Sequence, residues 1–85
     1  MEHVAKEFGK AVRQLRLVRD LTQERLAEAA DISVEYVRKM ERGSTQSPPS
    51  WAILRRLAGA LRVEIVMGKN NWTLRLQRSL PGTHN

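Results

Sequence analysis

The side chains in this sequence that most clearly suggest a binding chemistry are its arginines. Lys and Arg number 15 against 9 Asp and Glu in 85 residues, which gives a net charge of +6, and 11 of the cations are Arg. A guanidinium group binds phosphate and guanine through paired hydrogen bonds, a geometry that lysine lacks. The charge therefore favours nucleic acid as the partner, although a charged fraction of 28% is also ordinary for a protein surface.

The other reactive residue types are few and scattered. His3 and His84 lie near the two ends of the sequence, and Asp20 and Asp31 lie in expected turns. The sequence has no cysteine, which excludes thiol catalysis, cysteine-ligated zinc and disulfides. It also shows no nucleophile–base pair and no glycine-rich phosphate loop. We therefore expect a binding protein that needs no metal or cofactor, and not an enzyme.

Length and composition limit the class of protein further. A chain of 85 residues with 41% hydrophobic residues fits one small domain. The modest core of such a domain makes dimerisation a reasonable expectation. The absence of cysteine, of a signal peptide and of an apolar run long enough to span a membrane predicts a cytoplasmic protein with no membrane partner.

Apolar residues recur at helical spacing in four segments. They predict a first helix from Val4 to Arg19, a second from Thr22 to about Ala30, a third from Ser33 to Gly43, and a fourth from Ser50 to Leu61. The first residues of the last three segments are hydroxyl side chains suited to N-caps. The apolar face of the fourth helix is predicted to carry Trp51, Leu54, Leu57, Ala58 and Leu61.

Beyond the fourth helix, the apolar period changes to two. Two alternating runs around a Gly68–Asn71 turn predict a β-hairpin in residues 63–80, followed by a mobile tail at 81–85. An isolated hairpin is marginal in water, so its apolar face is expected either to pack on the helices or to pair with a second subunit. The residues predicted for a dimer interface are Val63, Ile65, Met67, Trp72, Leu74 and Leu76.

The two tryptophans could in principle stack nucleobases. We interpret Trp51 and Trp72 as too far apart for a base-stacking platform, and as separate anchors of the core and of the hairpin. Binding of single-stranded nucleic acid is therefore disfavoured.

The segment VRQLRLVRDLTQERLAEAADISVEYVRKMERG, followed after a loop by PSWAILRRLAGAL, combines several motifs. They are an arginine in the first helix, a Leu-Thr-Gln start to the second, a Leu-Ala pair, and Glu-Arg-Gly after the third. With this combination, the sequence resembles the Cro/repressor-type (XRE) helix-turn-helix family over residues 8–63. The resemblance implies a mainly α, four-helix, lambda-repressor-like domain over residues 1–62, with a C-terminal strand or hairpin that dimerises.

The resemblance further implies that residues 34–42 form a recognition helix in the major groove of double-stranded DNA. The positions that match exposed or groove-facing residues are Val34, Glu35, Tyr36, Arg38 and Lys39. Their chemistry agrees with that role. Arg38 or Lys39 can donate to guanine O6 and N7, Glu35 can accept from cytosine N4, and Val34 can contact a thymine methyl group.

Contacts with DNA phosphates are implied at both ends of the same motif. Gln23 matches a family position that binds a phosphate and braces the recognition helix, at a helix N-terminus that favours an anion. The full set expected at phosphates is Thr22, Gln23, Ser33, Arg42, Ser44 and Thr45. Arg16 and Glu41 match family positions that form a partly buried structural ion pair.

The sequence departs from the family pattern in three places. Asp31 replaces the usual turn glycine, Arg62 replaces the glycine that commonly ends the fourth helix, and the loop STQSPPS is longer than usual. A strand pattern follows where a fifth helix often stands. In this respect the stretch ALRVEIVMGKN is similar to HipB-type antitoxins, in which a C-terminal strand pairs across a two-fold axis.

Two functions of different class follow from these observations. The first is a dimeric repressor that recognises an inverted repeat with half-sites about 34 Å apart. The second is an antitoxin that neutralises a toxin protein and binds its own operator. An adaptor role is a third possibility, because a fold does not fix a function. Both leading functions would place the protein in the prokaryotic cytoplasm, associated with the nucleoid.

Overall fold

The structure is a computed structural model that describes residues 2–45, 47–68 and 72–76. It confirms the mainly α fold class, with four helices followed by a two-stranded hairpin. Within these residues, no helix has both the length and the apolar character needed to cross a membrane. The elements are α1 (Glu2–Val18), α2 (Gln23–Ala30), α3 (Val34–Arg42), α4 (Trp51–Leu61), β1 (Glu64–Met67) and β2 (Trp72–Arg75).

Side-chain caps define where three of the helices begin. The hydroxyl oxygens of Thr22, Ser33 and Ser50 accept hydrogen bonds from the backbone N–H three residues later, at 3.0, 3.1 and 3.3 Å. Each cap satisfies a backbone donor that has no partner inside the helix. The three N-caps predicted from the sequence are confirmed.

All four helices end in a residue with left-handed backbone conformation. These residues are Asp20, Asp31, Gly43 and Arg62, with φ between 56° and 73°. Only one of them is glycine, the residue that adopts this conformation at least cost. Asp31 and Arg62, which replace glycines of the family pattern, both adopt the conformation that those glycines would favour.

The core lies where the four helices meet and is closed on one side by the hairpin. Leu26 on α2 and Val37 on α3 point into this core, and neither side chain has exposed surface. The buried apolar residues are Phe8, Val12, Leu15, Leu26, Ala27, Ala30, Val37, Met40, Leu54, Leu57, Ala58, Leu61 and Leu74.

Helices α1 and α3 approach each other closely at Gly9. A Cβ atom at this position would overlap the carbonyl oxygen of Met40 and come within 3.4 Å of the Cα atom of Glu41. The missing side chain therefore sets the distance between α1 and the C-terminal half of α3. Because both obstacles are backbone atoms, no side-chain rotation could make room for a larger residue.

The hairpin is antiparallel and lies within one chain. Ile65 is paired with Leu74, and Met67 with Trp72. Leu74 is only 4% exposed, and Ile65 packs against the same core. Of the two arrangements left open by the sequence, the apolar face therefore packs on the helices of its own chain. The tip, residues 69–71, and the predicted tail, 81–85, lie outside the described residues.

Two expectations about the tryptophans were wrong. Trp51 does not belong to the core face of α4, because it is 51% exposed at the first position of that helix. Trp51 and Trp72 are also not far apart, since their ring centroids lie 5.3 Å from each other in an edge-to-face arrangement with planes at 61°. The hairpin folds back along α4 and brings together two rings that are distant in sequence.

Candidate nucleic-acid interface

A buried hydrogen-bond network joins the first three helices at the centre of the helix-turn-helix. Arg16 donates from Nε to Glu41 Oε2 at 2.7 Å and from one terminal nitrogen to Glu41 Oε1 at 3.0 Å. Its other terminal nitrogen donates to the carbonyl oxygen of Leu21 at 2.8 Å. Gln23 Nε2 donates to Glu41 Oε1 at 3.1 Å. The structure thus brings together the two residues expected to form an ion pair and adds Gln23 to them.

This network is strongly shielded from water. The side chain of Glu41 is 3% exposed and that of Arg16 is 11% exposed. The hydrogen bond with Glu41 raises the pKa of Arg16 above its ordinary value, and desolvation opposes that shift. Since these contacts link α1 to α3, α1 to the turn before α2, and α2 to α3, the network holds α3 in a fixed orientation relative to α1 and α2.

One side of α3 is free of intramolecular packing. Glu35, Lys39 and Arg42 follow one another at steps of four and three residues, so they lie along one face of the helix, and all three are exposed. Val37 and Met40 lie on the opposite face and are buried. A helix with a buried side and an exposed side bearing two cations and one carboxylate can present both donors and acceptors to base edges.

Val34 and Tyr36 flank this exposed face. Both are half-buried and pack against the core, so each presents only part of its side chain to a groove. Burial raises the pKa of Tyr36 above its ordinary value. A neutral hydroxyl at this position can both donate and accept a hydrogen bond.

Arg38 lies on the side of α3 that faces α2. A terminal nitrogen of its guanidinium donates to Glu24 Oε2 at 3.2 Å. The other terminal nitrogen lies 3.7 Å from Glu35 Oε1. Sequence reasoning did not identify Glu24 as part of this surface. Glu24 is 14 residues away from Arg38, and the crossing of α2 and α3 brings the two together.

The residues expected at phosphates occupy different environments. Thr22 and Ser33 are exposed and cap α2 and α3, so their hydroxyl groups lie at the N-termini of these helices. Gln23 is half-buried because it reaches back to Glu41, as the bracing role requires. Arg42 is exposed at the last position of α3, and Ser44 is exposed just beyond it.

An open crevice separates α3 from the loop that follows it. Its volume is about 600 Å³, and Lys39, Ser44 and Thr45 share its lining with Tyr36. The crevice brings together the ammonium group of Lys39 and the hydroxyl groups of Tyr36, Ser44 and Thr45 on the same side as the exposed face of α3. This arrangement extends the polar surface of α3 towards the N-terminus of α4.

Burial narrows the set of residues predicted for a dimer interface. Leu74 is buried in its own chain, and Val63 and Ile65 are half-buried against the core. Met67, Trp72 and Leu76 keep 61%, 42% and 42% of their surfaces exposed. Trp51 adds an exposed ring next to Trp72, and this contribution was missed because the sequence pattern of α4 placed it in the core.

The fold and this surface define a helix-turn-helix protein. A model of the helix-turn-helix domain family matches residues 7–67, and the chain belongs to that family. A search of curated proteins finds no match. The match covers α2 and α3 with their connecting turn, and it includes the buried network and the exposed face described above.

Solved structures resemble the chain over most of its length. The restriction-modification controller protein C.AhdI from Aeromonas hydrophila is 34% identical, with a TM-score of 0.67 over 73% of this chain and 91% of that one. The clp gene regulator ClgR from C. glutamicum is 31% identical, with a TM-score of 0.60 over 68% and 73% of the two chains. A mutant of the controller protein C.Esp1396I, at 23% identity, has a TM-score of 0.64 over 71% and 77% and supports the fold alone.

These similarities confirm the resemblance to Cro/repressor-type regulators. The chain is a DNA-binding transcription regulator of the helix-turn-helix class, and this class is not enzymatic. Within the residues that the structure describes, no group of His, Cys, Asp and Glu is arranged to hold a metal ion.

Proposed function

We propose that the protein is a repressor that binds an inverted DNA repeat as a homodimer, with one α3 helix in the major groove of each half-site. The observation that carries this proposal is the exposed face of α3, where Lys39 and Arg42 project from a helix that the buried Arg16–Glu41 pair holds in place. A rigid helix with an unpacked polar face is what a major groove accommodates.

Direct base contacts are assigned to the residues along α3. Lys39 donates to guanine O6 and N7, and Glu35 accepts from cytosine N4. Arg38 contributes guanidinium donors at the α2 side of the helix. Val34 contacts a thymine methyl group with its exposed part, and Tyr36 offers its protonated hydroxyl at the other flank.

Phosphate contacts are assigned to the two ends of the helix-turn-helix. At one end, Thr22, Gln23 and Ser33 stand at the N-termini of α2 and α3, where free N–H groups favour an anion. At the other end, Arg42, Ser44 and Thr45 follow the exposed face of α3. These contacts position α3 on the duplex and carry no sequence information of their own.

A dimer is proposed because one α3 helix spans only one half-site. Two copies related by a two-fold axis would place their recognition helices about 34 Å apart, one turn of DNA. The exposed apolar side chains of Trp51, Met67 and Trp72 form the surface that supports such an assembly. Binding to chromosomal DNA would place the protein at the nucleoid in the cytoplasm.

The relatives suggest which genes to examine first. C.AhdI is a restriction-modification controller protein, and the chain covers 91% of it. Transcription control of restriction-modification genes is therefore the first biological role to test. ClgR is a clp gene regulator, so control of clp genes is the corresponding alternative.

The experiment that tests the proposal starts with a selection of duplexes from a random pool. The selected site is expected to be an inverted repeat, and log affinity is expected to fall linearly with log salt concentration. Replacing Arg42 with Ala should reduce that slope by about 2, because the dimer loses one phosphate contact in each half-site. Replacing Lys39 with Ala should relax the base preference at one position of each half-site.

Arg13→Ala is the matched control for these two variants. Arg13 is exposed on α1 and forms no ion pair with a described residue, so its loss removes the same charge away from the proposed interface. The control should leave both the slope and the base preference unchanged. Selection that enriches no sequence, or an affinity that does not depend on salt, would contradict the proposal.

An antitoxin remains the second candidate function, because the exposed Trp51, Met67 and Trp72 could instead bind a different protein. The native mass of tagged protein purified from its own host separates the two functions. A bare homodimer supports the repressor. A stoichiometric second polypeptide whose toxicity is suppressed by the chain supports the antitoxin.

A further inference from the structure

Arg38 is already paired before any DNA is bound. Its guanidinium contacts Glu24 on α2 at 3.2 Å and lies 3.7 Å from Glu35, one turn earlier on α3. The side chains of Arg38, Glu24 and Glu35 are 40%, 64% and 60% exposed, so DNA can reach all three. Together they carry one net negative charge on a surface proposed to meet a polyanion.

We propose that Glu24 is a specificity-determining residue that positions Arg38 for a base edge and weakens its contacts with phosphates. This inference rests on the function proposed above. A guanidinium has five N–H donors, so the one hydrogen bond with Glu24 leaves four donors for DNA. Glu24 belongs to α2 and lies outside the recognition helix, so it acts on specificity through Arg38.

Glu24 disfavours non-specific complexes for an electrostatic reason. Non-specific binding takes nearly all of its free energy from contacts between cations and phosphates. When Arg38 joins such contacts, the Glu24 carboxylate beside it comes close to the phosphate backbone, whether or not the two side chains stay paired. Like charges at short distance repel, so the contact with a phosphate gains less than a free arginine would.

A base edge does not impose the same cost. Guanine O6 and N7 are neutral acceptors, so Arg38 can bind them while one of its terminal nitrogens remains on Glu24. The carboxylate then limits the rotamers of the arginine and lowers the entropy lost on binding. Glu24 therefore lowers affinity for non-specific DNA more than it lowers affinity for the operator.

The test compares Glu24→Gln with Glu28→Gln. Glu28 is exposed on the same helix, has the same charge and forms no ion pair with a described residue. Affinities are measured for the duplex selected from a random pool and for a scrambled duplex of equal length, each over a range of salt. For Glu24→Gln, we expect the scrambled duplex to bind the dimer about ninefold more tightly, which is about threefold for each protomer. Its salt slope should steepen by about 1.8, because each protomer frees one arginine for a phosphate contact.

The ratio of operator affinity to scrambled-duplex affinity should fall for Glu24→Gln and stay constant for Glu28→Gln. In an Arg38→Ala background, Glu24→Gln should leave the ratio unchanged, because Glu24 acts through Arg38. The salt slope is a readout that a loss of stability alone would not steepen.

Equal responses of Glu24→Gln and Glu28→Gln would overturn this inference and leave the proposed function intact. The same holds if Glu24→Gln lowers the ratio even when Arg38 is absent. If the unmodified protein shows no preference for any duplex, the proposed function fails, and the inference fails with it.

Discussion

Glu41 accepts three hydrogen bonds while almost none of its side chain meets water. Replacing Glu41 with Ala would leave the Arg16 guanidinium buried with the carbonyl oxygen of Leu21 as its only described acceptor. We expect the free energy of unfolding to fall by about 3 kcal/mol, because a buried charge without its partner is strongly destabilising. Urea denaturation followed by circular dichroism measures this change.

Two further variants show whether the pair is responsible for that loss. Glu28→Ala removes an exposed carboxylate from α2 and should change stability by less than about 0.5 kcal/mol. Replacing both partners, Arg16→Met with Glu41→Leu, removes the uncompensated charge and should regain most of the lost stability. A Glu41→Ala protein that melts at the wild-type temperature would show that the network does not hold the fold together.

At the residue scale, the sequence predicted a contact between two residues of a known family motif. It did not predict a contact that depends on the angle at which two helices cross. Arg16 and Glu41 were paired through the resemblance, although 25 residues separate them. No local pattern relates Glu24 to Arg38, since their contact follows from the angle between α2 and α3. The donor and acceptor side chains of α3 could be identified from the sequence, but the carboxylates that contact Arg38 could not.

At the scale of elements, two helical glycines provide a test of how α1 and α3 pack. Gly9→Ala would drive a Cβ atom into the Met40 carbonyl, so the helices must separate and stability should fall by about 1–3 kcal/mol. Gly59→Ala on α4 meets no atom within 4 Å and should raise stability by about 0.5–1 kcal/mol through helix propensity alone.

The two variants make the same chemical change, so their opposite signs isolate the contact between the helices. Thermal melting and urea denaturation measure both. If Gly9→Ala were as stable as Gly59→Ala, the close approach of α1 to α3 would be refuted. A loss of stability in both variants would instead indicate that other atoms lie closer to Gly59 on α4 than the 4 Å clearance in the structure.

Element boundaries were predictable where they depend on local chemistry. The hydroxyl caps at Thr22, Ser33 and Ser50 bond within three residues, so the sequence specifies them directly. Trp51 was misplaced because helical periodicity assigns a face without showing what covers it. At the first turn of α4 that face extends past the core and meets the hairpin instead.

At the scale of the whole molecule, the hairpin has two roles that the sequence could not separate. Alternation of apolar residues in β1 and β2 showed that one face is apolar, but not which surface covers it. In the structure, Leu74 is part of the core, whereas Met67 and Trp72 at the other end of the register remain exposed beside Trp51. The hairpin thus closes the monomer and also offers an apolar surface beyond it.

Met67→Glu tests whether that surface joins two copies of the chain. Met67 is the most exposed of the three apolar residues, at 61%, and contributes nothing to the buried core, so a carboxylate there should leave the monomer folded. Placed in an apolar interface, the same carboxylate would lose its hydration and oppose association. Sedimentation equilibrium should show a wild-type dimer and a monomeric Met67→Glu variant.

DNA binding by the same variant connects the assembly to its proposed role. Operator affinity should fall by about a hundredfold, because two linked recognition helices bind an inverted repeat far more tightly than one. Ala29→Glu, which adds the same charge to an exposed position on α2, should remain dimeric and keep its affinity. A Met67→Glu protein that stays dimeric would place the two-fold interface elsewhere, whereas a wild-type monomer that still binds the full repeat tightly would refute the dimer itself.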